Sequence, residues 1–108
     1  MAEPMNKRLA MLEKLTSSAQ ADSFAFYCLG MEYRKENRVD DAVGAFEALR
    51  GRDAGYLPMY LMAGQMLREA GRLAEASSWL QQGIELAKRK NDSKALGELE
   101  SELATVQS

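Results

Sequence analysis

The chain has 108 residues, 46% apolar and 28% charged, with a formal net charge of −2. That composition fits one soluble globular domain with a modest core, and it leaves no basic field for nucleic acid. A single cysteine and no histidine exclude an internal disulfide and remove the commonest general base and metal ligand.

Apolar periodicity near 3.6 residues predicts helices throughout. The first covers Asn6–Leu15, with Leu9, Leu12 and Leu15 on one stripe, and Thr16-Ser17-Ser18 interrupts it because hydroxyl side chains compete for backbone hydrogen bonds. The second covers Asp22–Glu36 and stops at Asn37. The third, Asp40–Arg50, starts on two acids that oppose the helix dipole, and Gly51 is expected to supply a left-handed residue at its end. The fourth, Leu57–Ala70, carries Pro58 in its first turn, where a missing N–H costs nothing, and Gly71 ends it. The fifth covers Leu73–Arg89, and the basic run Lys88-Arg89-Lys90 complements its exposed carbonyls. The sixth, Asp92–Val106, has a starting cap in Asn91-Asp92-Ser93 and a stripe of Leu96, Leu99, Leu103 and Val106. No run in the chain is apolar for the roughly twenty residues of a membrane span or the roughly seven to fifteen of a signal peptide. With a lone cysteine, this points to a cytoplasmic protein.

Residues 23–56 and 57–90 repeat each other at a period of 34. The identities are Gly30/Gly64, Arg34/Arg68, Arg38/Arg72 and Ala42/Ala76, and bulky apolar residues match around them: Phe26/Tyr60, Tyr33/Leu67, Val39/Leu73 and Phe46/Leu80. Projected backwards, Leu12 and Leu15 align with Phe46 and Leu49, so the first helix reads as the second half of a truncated repeat. The sixth reads as the first half of another. The expected organisation is a single domain over 1–108: a half repeat (1–22), two full repeats (23–56 and 57–90) and a capping helix (91–108). A helix pair cannot bury its apolar face alone, so the flanking halves complete the stack.

The run Phe26-Tyr27-Cys28-Leu29-Gly30-Met31-Glu32-Tyr33, with Ala42 and Phe46 after it, resembles the tetratricopeptide-repeat family motif. The second copy reads Tyr60-Leu61-Met62-Ala63-Gly64-Gln65-Met66-Leu67, then Ala76 and Leu80. The family's helix-ending proline is absent, with Ala54 and Lys88 in its place. The resemblance implies an all-α fold, a short right-handed solenoid of about six helices in antiparallel pairs, and a role in holding other proteins. It also implies that the first helix of each repeat lines a concave groove. On that face fall Tyr27, Met31 and Arg34, then Leu61, Gln65 and Arg68, with Lys35, Met62 and Tyr56 bordering. The two arginines are candidates for gripping a carboxylate of the partner. The lysine/asparagine clamp by which some family members hold a chaperone C-terminus is not matched, since Tyr27/Met31 and Leu61/Gln65 occupy the comparable positions.

No residue set suggests catalysis, a cofactor or a metal. Cys28 reads as a small apolar residue, Asp40-Asp41 as a helix start, and the glycines form no phosphate fingerprint. Met59 and Met66 are expected in the core, and Trp79 partly buried on the outer side. The expected partner is a protein or peptide, with no nucleic acid and no membrane. The alternative is a self-associating scaffold, a homo-oligomer joined through Met5, Leu9 and Met11 at one end and Leu103 and Val106 at the other.

Overall fold

A computed structural model describes residues 6–108. Among them lie α1 (Lys7–Thr16), α2 (Ser23–Lys35), α3 (Val39–Arg52), α4 (Pro58–Glu69), α5 (Leu73–Arg89) and α6 (Ser93–Gln107), and no strand. The chain divides into two compact units between Arg52 and Asp53.

In the first unit α2 packs on α3 and α1 packs on α2. The α2–α3 crossing depends on two small residues. A Cβ on Gly30 would lie 2.6 Å from the Phe46 ring, and Ala42 is wholly buried beside it. Phe26, Leu29, Val43, Ala45, Phe46 and Leu49 complete this core, and Leu9 and Leu12 attach α1 to it. Leu15 is not part of that attachment and is 51% exposed. Each step of three residues turns about 60° short of a full circle, so the third leucine has rotated off the buried face.

The second unit repeats the device. Gly64 leaves room for the Leu80 side chain where α4 packs on α5, and Ala76, Met59, Ala63, Met66 and Leu67 are buried in this unit's core. Helix α6 packs on α5 and α4, burying Leu99 and Val106, with Leu96 and Leu103 half-buried. Trp79 lies deeper than the sequence implied: it is 5% exposed, its ring 5.9 Å from that of Tyr60. The Tyr60 hydroxyl donates to the Ala54 carbonyl at 2.6 Å. The expected apolar ends also change. Leu9 and Val106 are buried, while Met11 is 64% exposed; Met5 lies outside the described residues.

Three helices end in one way. Asn37, Gly71 and Asn91 have φ of 59°, 77° and 55°, and the next residue's N–H reaches back five positions: Arg38 to Tyr33 at 2.9 Å, Arg72 to Leu67 at 2.8 Å, Asp92 to Ala87 at 3.0 Å. These are Schellman closures, which satisfy the last carbonyls of a helix. Helix α3 does not stop at Gly51, which lies inside it without positive φ. Its last turn is held by Arg52, whose guanidinium lies 4.7 Å from the centre of the Phe26 ring and donates to the Ala21 carbonyl at 2.5 Å. The repeated arginines ahead of α3 and α5 have a local task. Arg38 pairs with Asp41 at 2.9 Å, and Arg72 with Glu75 through two bonds of 2.8 Å.

Candidate protein-interaction site

Asp22 caps α2 by accepting from the Ala25 N–H at 2.9 Å, and the helix then presents one half-exposed stripe. Tyr27 and Met31 lie on it, with Arg34 one turn further and Lys35 beside it. All four line one hollow of about 630 Å³ in the first unit, together with Arg8, Phe24, Cys28 and Glu32. Phe24 is 62% exposed, an apolar ring offered to solvent at the N-terminal end of the helix.

The buried acid in this hollow is Glu32. Arg8 approaches it at 3.3 Å, Lys35 at 3.9 Å, and Asn6 donates to it at 3.1 Å. Asn6 meanwhile caps α1 through the Leu9 N–H at 2.9 Å and donates to Glu36 at 2.7 Å. A carboxylate this buried is tolerable only when its lone pairs are met. Glu32 takes up the positive charge of Arg8, and Arg34 and Lys35 place a guanidinium and an ammonium along the same hollow. The Cys28 thiol, packed against the Leu9–Leu12–Leu29–Ala45 cluster, has its pKa raised by burial, so at neutral pH it is a neutral thiol.

Sequence reasoning did not find Glu32, Arg8 or Phe24. The signal was the alignment of Glu32 with Met66: a carboxylate where the other repeat has a core methionine.

The second unit differs. Leu61 and Met62 line a hollow of about 330 Å³ with Leu57, Pro58, Asp92, Ala95, Glu98 and Leu99. Gln65 and Arg68 are half-buried but do not line it. Arg68 is bound to Glu102, its Nε donating to that carboxylate and joining α4 to α6. The arginine expected to grip a partner's carboxylate already holds one of the chain's own. The hollow beside it has acids at its rim.

No family model matches the chain, and no curated protein matches it. Solved structures do. A tetratricopeptide repeat domain protein from Salinibacter ruber matches in its crystal structure at 29% identity and TM-score 0.72, over 81% of this chain and 98% of that one. Its solution structure matches at 28% identity and TM-score 0.74, over 83% and 91%. This is a tetratricopeptide-repeat fold. A protein from Bordetella parapertussis shares it at 21% identity and TM-score 0.80, over 95% of this chain and 90% of that one. In tetratricopeptide-repeat terms α2/α3 and α4/α5 are the helix pairs. Among the described residues no helix is long and apolar enough to cross a membrane, and no cluster of metal-ligating side chains occurs.

Proposed function

We propose that the chain is a non-enzymatic protein-interaction module of the cytoplasm whose α2 hollow takes an apolar segment bearing a carboxylate. The observation that carries this reading is the convergence of Tyr27, Met31, Arg34 and Lys35 on one hollow, with an exposed Phe24 at its end. Apolar floor gives affinity, and a guanidinium beside an ammonium selects an anionic group. One helix face buries little area, so affinity belongs in the micromolar range, about −8 kcal/mol.

The test is capture from native lysate, read by mass spectrometry, with wild type and an Arg34→Glu/Lys35→Glu variant whose melting curve matches it. A partner bound by the first and lost by the second, and released by an acidic peptide of that partner, supports the reading. Equal capture by both excludes the α2 hollow as the site.

A further inference from the structure

Two surfaces are left uncovered by the folds of the units, and their chemistries are complementary. The first is the outer face of α1. Lys7, Met11, Lys14 and Leu15 follow a helical stripe, and the two apolar members are 64% and 51% exposed. The other charges of α1 are engaged inside its own unit: Arg8 on Glu32 and Glu13 on the Tyr33 hydroxyl. Lys7 and Lys14 make no ion pair with any described residue. This is a short amphipathic surface with a basic border.

The second is the α4/α6 hollow, where Leu57, Pro58, Leu61, Met62 and Leu99 supply apolar walls. Its rim carries Asp92, one of whose oxygens caps α6 through the Ala95 N–H at 3.0 Å, and Glu98, which has no ion-pair partner among the described residues. Helices enter such grooves by apolar side chains at i and i+4. Met11 and Leu15 have that spacing, and Lys7 and Lys14 flank them as the carboxylates flank the hollow.

We propose that the α4/α6 hollow of one molecule receives the Met11–Leu15 face of α1 from a second copy of the chain. This goes beyond the α2 hollow reading and does not depend on it. The contact is heterologous, one surface meeting a different one, so each molecule carries both a donor face and an acceptor hollow. Exposed charges at its rim make it weaken as salt rises.

Two variants test it by sedimentation over a range of concentrations. Met11→Glu/Leu15→Glu spoils the α1 face at exposed positions. Asp92→Asn/Glu98→Lys spoils the rim while asparagine keeps the α6 cap. Wild type is expected to rise above the monomer mass of 12.0 kDa with concentration, and each variant to stay there. Mixed, the two variants retain one intact face and one intact hollow between them, and a one-to-one complex is expected. A wild type that stays monomeric overturns the proposal, as does association that either variant leaves intact. So does a mixture that remains two monomers.

Discussion

At the residue scale, the spacing of small and large side chains makes a prediction whose sign can be reversed. Gly30 lies under the Phe46 ring, with no room for a Cβ. Gly30→Ala is expected to cost about 1–3 kcal/mol by overpacking, and Phe46→Ala about 3–5 kcal/mol. In the Phe46→Ala background the clash is gone, and Gly30→Ala is expected to stabilise by up to about 1 kcal/mol through helix propensity alone. Denaturant melts of the four proteins complete the cycle; additive effects would contradict the packing described. Tyr33 offers a second test. Burial first, then its hydrogen bond to Glu13 at 2.5 Å, pushes its pKa from about 10 up to about 12. The protonated hydroxyl is the form the fold favours. Its contribution is therefore complete below pH 10 and lost as pH rises toward 12. Tyrosinate absorbance should show a late-titrating tyrosine that disappears in Tyr33→Phe, along with that share of the alkaline destabilisation. An unchanged titration would reassign the late step.

At the element scale, helix ends and helix seams carry separate predictions. Asn37 holds a left-handed conformation at φ 59° on an exposed site. An ordinary L-residue there costs about 1–2 kcal/mol, which asparagine partly and glycine wholly avoids. Asn37→Ala should lower stability by about 1 kcal/mol and Asn37→Gly should not; equal melting of the two would remove the Schellman closure as the cause. On the α4–α6 seam, Arg68→Glu sets two carboxylates against each other where a charge-assisted bond stood. A loss of about 1.5–3 kcal/mol is expected. The swap Arg68→Glu/Glu102→Arg should recover most of it. If the swap melts no higher than Arg68→Glu, the pair is incidental.

At the scale of the whole molecule, the fold was more legible than the site, and the residues show why. The repeat was readable because its signals are steric and local: Gly30 and Gly64, Ala42 and Ala76, and the turn positions Asn37 and Gly71 recur at the period of 34. Each helix boundary falls within two residues of its expected place. Gly51 misled because glycine marks a helix end only when nothing beyond it anchors the chain, and Arg52 does so through Phe26 and Ala21. The site was less legible because periodicity places a residue on a face without naming what faces it. Arg34 and Arg68 are equivalent in sequence, yet Arg68 is met by Glu102 from α6 while Arg34 lines the α2 hollow. Trp79 shows the same limit for burial: a large ring beside a stripe goes inside when a partner such as Tyr60 is waiting.

Cys28 gives the protein a built-in stopwatch. Its sulfur is the single thiol in the chain, it is packed under α1 by Leu9 and Leu12, and burial keeps it protonated. Alkylating reagents consume thiolate and need room to reach it. The half-buried sulfur also lines the α2 hollow, so capping has a base rate through that hollow. Acceleration above it on loosening the Leu9–Leu12 contact reports α1 lifting from α2, without any dye or tag. Leu9→Ala should speed that rate well beyond its effect on an unfolded control, and Leu15→Ala should leave it unchanged. Equal acceleration by both would mean the sulfur is being reached by some other route than the lifting of this helix.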